Sequence, residues 1–152
     1  MAAGDLVVDI GAGTGALTSR LVSAGARVIA VELHDDRVAE LRGRFANDPV
    51  RVVQVDLRQL RLPRRPFRVV ANPPFALTTE LLRLLLSSER MVSADVVVER
   101  AAARRLVGAS AQGAHARLFQ LDLGMALPRR AFSPPPRVDS VVLRVRRRTG
   151  RC

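Results

Sequence analysis

Lysine is absent from this 152-residue chain, as are tryptophan and tyrosine. All 25 basic residues are therefore Arg, and five Phe make up the whole aromatic content. Arg without Lys removes compact ammonium contacts and leaves planar, forked ones suited to phosphates and stacked bases. A core without Trp or Tyr must be built from Val, Leu and Ala, so each Phe is scarce enough to question individually. The one cysteine, Cys152, is the last residue, which excludes an internal disulfide or a cysteine metal site. No metal is expected. No apolar run approaches the length needed to span a bilayer. The opening Met1-Ala2-Ala3-Gly4-Asp5 lacks the basic region and apolar stretch of a secretory signal. A soluble monomer in the reducing cytoplasm, without membrane contact, is the expectation.

What is present is a charge of +11, unevenly placed. Residues 1–57 carry six Arg against eight acids, a net −2, and residues 58–152 carry nineteen Arg against six acids, a net +13. The first half suits a small cofactor and the second a polyanion. A GC-rich genome would explain Arg in place of Lys, but not its segregation. The length fits one domain that buries roughly two-thirds of its unfolded surface.

Strands and helices alternate. Leu6–Ile10 reads as a buried strand, and Ala16–Ser23 as a helix with Leu17, Leu21 and Val22 on one side and Gly25 as its stop. Arg27–Val31 is a second strand. Arg37–Phe45 is a helix carrying Val38, Leu41 and Phe45 at spacings of three and four. Val50–Val55 and Phe67–Ala71 are strands, Thr79–Leu86 a leucine-rich helix, Ala94–Val98 a fifth strand and Arg100–Leu106 a helix. Leu118–Met125 and Ser140–Val145 look like strands joined by the proline-rich stretch Pro128–Pro136. This order predicts a parallel, doubly wound α/β sheet with an antiparallel pair at its edge.

Asp9-Ile10-Gly11-Ala12-Gly13-Thr14-Gly15 places a glycine-rich turn between the first strand and helix. Its Gly-x-Gly-x-Gly spacing differs from the Gly-x-Gly-x-x-Gly of dinucleotide sites. Gly11 and Gly13 let the backbone approach a ligand closely. Alone, such a turn can be plain strand-to-helix geometry. Two acids at other strand ends strengthen the ligand reading. Glu32 follows the second strand, twenty-one residues after Gly11, where a carboxylate would accept from two ribose hydroxyls, and Asp56 ends the third, where it would accept from an adenine amino group. Either acid could instead be a solvated strand end or a helix cap. Asp9 fits two roles, holding the methionine end of a cofactor or ordering the turn. His34 reads as a surface residue and Asp36 as the cap of the following helix.

Asn72-Pro73-Pro74-Phe75 follows the apolar run Arg68–Ala71. An amide, two prolines and an aromatic ring at a strand end make a stiff loop able to grip a flat, amine-bearing ring. With the glycine turn, this points to methyl transfer from S-adenosylmethionine onto a planar nitrogen. An adenine amine is a poor nucleophile, since its lone pair is delocalised into the ring. The Asn72 side-chain oxygen and the Pro73 carbonyl could each accept one of its N–H groups while Phe75 stacks on the ring, so the gain comes from orientation and preset electrostatics. Phe132, in Phe132-Ser133-Pro134-Pro135-Pro136-Arg137-Val138-Asp139-Ser140, suits either the opposite wall of a base pocket or a plug at the strand pair. A base reached this way must leave its stack, which favours an unpaired or looped nucleotide. Arg64, Arg65, Arg100, Arg104, Arg105, Arg129, Arg130 and Arg137 flank these loops as candidate phosphate contacts. Arg146–Arg148 reads equally as ordered contact or disordered basic end.

Four segments in this order resemble the rRNA adenine N6-methyltransferase family, above all its macrolide-resistance (Erm-type) branch in a short actinobacterial form. They are Val8–Thr18, Val28–Glu32, Val70–Phe75 and Phe132–Ser140. The resemblance implies a Rossmann-like class I methyltransferase fold, a seven-stranded, mostly parallel sheet with its last strand antiparallel. It implies S-adenosylmethionine as cofactor and an adenine of 23S rRNA at the macrolide site as acceptor, hence macrolide-lincosamide-streptogramin resistance. By position, Glu32 matches the ribose-binding acid and Asp56 the adenine-binding acid. Asn72 matches the acceptor for the target amine, Phe75 the stacking aromatic and Phe132 the aromatic facing the base. Leu33 and Leu57, next to the two acids, join Asp9, Gly11, Gly13 and Asn72 in the expected cofactor-binding set. Nothing before Leu6 matches the family's Gln-Asn-Phe closing segment, and nothing corresponds to its helical C-terminal domain. A single catalytic domain over 1–152 is therefore expected. Asn-Pro-Pro-Phe replaces the commoner Asn-Ile/Leu-Pro-Tyr, and Ala101 stands where many relatives have Glu. The rivals are a methyltransferase acting on DNA adenine or protein glutamine, and a non-catalytic RNA-binding module of the same fold.

Overall fold

Leu6–Ile10 (β1) is buried at all five positions. That pattern requires cover on both faces of the sheet, as for a central parallel strand. In the computed structural model, which describes residues 2–110 and 115–148, the cover is supplied by helices on either side. Val7 faces α1 (Ala16–Ser23), where it clusters with Leu21, Ala26 and Val28, and α2 (Asp35–Arg44) adds Leu41 beside Phe45, Ala12 and Ala30. Leu6, Val8 and Ile10 face the other way, onto Leu81, Leu82 and Leu85 of α3 (Thr78–Leu86) and Ala103 of α4 (Arg100–Ser110). Burying each Val or Leu fully contributes about 1.5–3 kcal/mol, so these two layers of cover hold the sheet.

The remaining strands are β2 (Arg27–Glu32), β3 (Val50–Gln54), β4 (Phe67–Ala71), β5 (Met91–Glu99), β6 (Phe119–Leu127) and β7 (Ser140–Arg147). The sheet order is β3-β2-β1-β4-β5-β7-β6. β1 to β5 run parallel, and β7 is antiparallel to both neighbours. The α/β expectation with an antiparallel last strand is met, with one refinement: β7 slots between β5 and β6, leaving β6 at the edge. The order reverses between β1 and β4, and in such sheets ligands lie outside the carboxyl ends of the strands at that reversal.

β1, α1 and β4 have the expected bounds. β5 begins at Met91, three residues early, beyond a register irregularity between Phe67 and Arg68. Asp36 does not cap α2: the cap position is His34, without a side-chain capping bond, and Asp35 and Asp36 lie in the first turn, where acids favour the positive end of the helix dipole. Gly25 has φ +83 after α1 and ends it as expected. Arg146–Arg148 is ordered contact. Arg146 bonds Asp95 at 3.0 Å, Arg147 donates to the Met91 carbonyl and stacks on Phe119, and Arg148 donates to the Ala116 carbonyl. Thr149–Cys152 lie outside the described residues.

Three of the five Phe are core: Phe45, Phe67 and Phe119. Phe75 and Phe132 are half-buried and sit on loops. Gly15 precedes α1 at φ +86, and an added Cβ would stand 2.7 Å from Phe45 Cε2 and 2.8 Å from Leu41 Cδ2. Gly15→Ala should therefore destabilise the protein by about 1–3 kcal/mol, read as a lower urea midpoint; a midpoint equal to wild type would contradict this packing.

Candidate active site at the carboxyl end of the sheet

The glycine turn is tied to β2 rather than closed on itself. Gly11 and Ala12 both donate to the Val31 carbonyl, at 2.9 and 3.0 Å. Gly13 N donates to Glu32 Oε2 at 2.8 Å, and Leu33 N and His34 N donate to Glu32 Oε1 at 2.8 and 3.1 Å. Glu32 is only 6% exposed. Burial pushes its carboxyl up, but the His34, Leu33 and Gly13 amides and the Arg37 charge outweigh that and leave it below the ordinary value. It is therefore ionised at neutral pH. The amides use both lone-pair directions of Oε1 and one of Oε2, so Oε2 keeps one acceptor direction for a ligand.

Above this turn lies a cavity of about 180 Å³. Glu32, Leu33 and His34 form one wall, and Asp56 and Leu57 another. Gly11 forms the floor with Ile10 and Val31, while Pro73, Pro74 and Leu77 close the side toward β4. Asp56 is half-buried, and its Oδ1 accepts from Arg58 N at 2.8 Å at the start of a single 3-10 turn, Leu57–Gln59. Its second oxygen makes no hydrogen bond within the described residues. Gln54 holds the rim by donating to the Leu33 carbonyl at 3.2 Å and to Asp35. Gln54 was not singled out from the sequence; its place at the end of a strand beside the Glu32 loop was the available signal.

The two sequence motifs meet here. A Cβ on Gly11 (φ +77) would lie 3.6 Å from the Asn72 carbonyl oxygen and 3.8 Å from Pro73 Cα. Asn72 is exposed beside the cavity, and Phe75 opens the short 3-10 turn Phe75–Leu77 that leads into α3. Phe132 belongs to the connection before β7, which is joined to the end of β5 through Arg100 N donating to the Asp139 carbonyl at 2.8 Å. It thus sits at the same end of the sheet as Asn72. Arg64 and Arg65 do not. They precede β4 and line hollows with Leu6, Val28 and Ile29 at the opposite, amino end, separated from Asn72 by five residues of strand, or about 17 Å.

Asp9 is fully buried on the α1 side of β1 and does not line the cavity. Its Oδ2 accepts from Thr18 Oγ1 at 2.6 Å, and its Oδ1 has no hydrogen-bond partner within the described residues. Of its two open roles, this contact supports ordering the turn. Burial raises the carboxyl to about 6; the Thr18 bonds offset part of this, and the Glu32 charge adds to it.

The residues present fit S-adenosylmethionine. Two carboxylates with spare acceptor capacity face an apolar hollow, and a glycine leaves room on its floor. Among the described residues no cluster of His, Cys, Asp or Glu is arranged for a metal, and no helix is long and apolar enough to cross a membrane.

Glu32→Ala should strip three amides of their shared acceptor, lowering the stability of the ligand-free protein by about 1–3 kcal/mol and weakening cofactor affinity in calorimetry. An unchanged melting temperature would contradict the clamp. Asp9 acts in the opposite sense on pH. Its folded pKa of about 6 exceeds the ordinary 3.8. The unfolded chain thus releases this proton first, and stability falls by roughly 2 kcal/mol as pH rises from about 4 to about 6. Asp9→Asn should remove that fall, measured by urea denaturation at pH 4.5 and 7 against wild type.

A family model described as ribosomal RNA adenine dimethylase matches residues 2–152. An rRNA adenine N-6-methyltransferase of Corynebacterium diphtheriae is 35% identical over 145 residues, covering 93% of this chain and 57% of the relative. A ribosomal RNA small subunit methyltransferase A of Thermosynechococcus vestitus is 38% identical over 160 residues, covering 94% and 59%. The chain thus spans little more than half the length of these relatives. Among solved structures, the 23S rRNA methyltransferase ErmE superposes with a TM-score of 0.88 at 28% identity, over 98% of this chain and 64% of that one. The model match over nearly the whole chain, on a methyltransferase fold with its glycine turn and Asn-Pro-Pro-Phe loop in contact, shows that this protein belongs to the ribosomal RNA adenine dimethylase family.

Proposed function

We propose that this chain is an S-adenosylmethionine-dependent methyltransferase that modifies N6 of an adenine in 23S rRNA, giving macrolide-lincosamide-streptogramin resistance. The observation that carries the reading is the approach of Asn72 and Pro73 to Gly11, which sets the amine-gripping loop beside the cofactor cavity. Likeness to the ErmE structure supports the large-subunit target. S-adenosylmethionine, when bound, supplies an electrophilic methyl group.

The chain's own residues do the rest. Glu32 and Asp56 hold the ribose hydroxyls and the adenine amine of the cofactor, and Leu33 and Leu57 cover its adenine faces. The Asn72 side-chain oxygen and the Pro73 carbonyl each accept one hydrogen of the target amine. This directs the nitrogen lone pair toward the cofactor side and favours a more tetrahedral nitrogen. Pro73 and Pro74 keep these acceptors in place, so little ordering remains to be done when the base arrives. Phe75 stacks on one face of the base and Phe132 faces the other. No strong base is required, because the amine becomes acidic as the methyl is transferred.

A small-subunit rRNA target is the second reading, favoured by the 38% identity to the cyanobacterial relative. Ribosomes incubated with the protein and labelled cofactor should carry N6-methyladenine in 23S rRNA, identified by mass spectrometry of nuclease fragments. Label confined to 16S rRNA would establish the second reading instead. Asn72→Ala should reduce transfer by at least 100-fold while changing cofactor affinity little, since its side chain serves the acceptor. RNA binding by wild type without any transfer, under saturating cofactor, would make the chain a binding module.

A further inference from the structure

A second hollow, of about 300 Å³, opens at the junction of β5, α4 and the connection into β7. Arg100 and Arg104 line it from α4, and Arg129 and Arg137 from the connection, with Glu99 and Asp139 as its only acids. Arg129 is held by Asp139 at 3.0 Å, and the Asp139 carbonyl accepts from Arg100 N, so the two walls are joined. The side chains of Arg100, Arg104 and Arg137 make no hydrogen bond or ion pair within the described residues. Arg100 and Arg104 stand four apart on one helix face, where like charges destabilise a helix. Three unpaired guanidiniums converging on one concavity make a strong anion site, since each can present a forked pair of donors.

The place of the hollow says which anion. It lies at the same end of the sheet as the cofactor cavity, beside β5 and β7, and β5 adjoins β4. Adjacent strands are about 4.8 Å apart, so it stands roughly 5–10 Å sideways of the loop beginning at Asn72. Phe132 lies between Arg129 and Arg137 on one connection. Resting on the RNA reading above, we propose that this cleft binds a backbone phosphate of the RNA strand next to the target nucleotide, with Arg100, Arg104 and Arg137 as its ligands. Anchoring the phosphate there presents the flipped base to Phe132 and to the Asn72 loop.

The test is fluorescence anisotropy of an adenine-bearing 23S rRNA hairpin with R104Q/R137Q, compared with R20Q/R42Q. The second pair removes the same charge from exposed positions in the last turns of α1 and α2. These helices cover β1, β2 and β3, so the control residues lie away from the β5–β7 junction. The cleft pair should bind the hairpin at least fivefold more weakly at 0.1 M salt. Its slope of log affinity against log salt should be shallower by about 0.7, the release expected for one single-strand phosphate. The control pair should stay within twofold of wild type. All three proteins should melt alike and bind S-adenosylmethionine equally in calorimetry. A cleft pair that matches the control pair, while wild type binds the hairpin and transfers methyl, overturns this site alone. Wild type that binds cofactor but neither binds RNA nor transfers overturns the functional reading and the site with it.

Discussion

The Glu32 carboxylate and the three amides it gathers hold the cavity end of the molecule in shape. Hydrogen bonds from amides to a charged acceptor are worth about 1.5–3 kcal/mol each. Three of them offset the cost of taking the carboxylate largely out of water. The clamp joins elements distant in sequence, because Gly13 belongs to the turn after β1, while Leu33 and His34 lead from β2 into α2. Gly11 and Ala12 bond to β2 as well, so the whole turn moves with that strand. Through Gly11 the constraint reaches the loop at Asn72, whose carbonyl oxygen would lie 3.6 Å from a Cβ at that glycine.

This arrangement suits a reaction limited by orientation. The buried carboxyl that burial has raised to about 6, Asp9, lies beneath the turn on the helix side and does not line the cavity. It bonds Thr18 and thereby fixes α1 against β1. The groups that do face the ligand space are an ionised acid, proline-stiffened carbonyls and an amide. They act by accepting hydrogen bonds in positions decided before any ligand arrives.

Much of this was legible in the sequence wherever a local pattern has one physical meaning. A run of apolar residues followed by Gly-x-Gly-x-Gly specifies β1, the turn and α1, and Phe67–Ala71 followed by Asn-Pro-Pro can only be a strand that stops. Long-range pairing is not written in such patterns. Nothing in Ser140–Arg147 says that it inserts between β5 and β6, and Met91 joins β5 only through its pairing with Phe67 beyond an irregular register. Asp36 illustrates a competition between neighbours. Asp35 and Asp36 both suit a helix start, and the backbone at His34 takes the cap position, leaving both acids in the first turn. Glu32 was expected to meet ribose hydroxyls, and its amide contacts were invisible because the donors are backbone groups that carry no sequence signature.

The arginines carry the same lesson for function. Segregation of positive charge into the second half of the chain suggests a single basic face, yet position along the chain is not position on the surface. Arg68 pairs with Asp5 and bonds Ser93, Arg146 pairs with Asp95, and Arg147 and Arg148 donate to backbone carbonyls. These guanidiniums hold β4 and β7 in the sheet and are largely satisfied by the protein itself. Arg64 and Arg65 are carried to the amino end because they precede a parallel strand whose far end bears Asn72. An unpaired guanidinium keeps its donors for a ligand, whereas a paired one must first break a contact. Sorting the arginines by partner and by sheet end therefore narrows the anion-facing set to the few around the β5–β7 junction, at the same end of the sheet as Asn72 and Phe132.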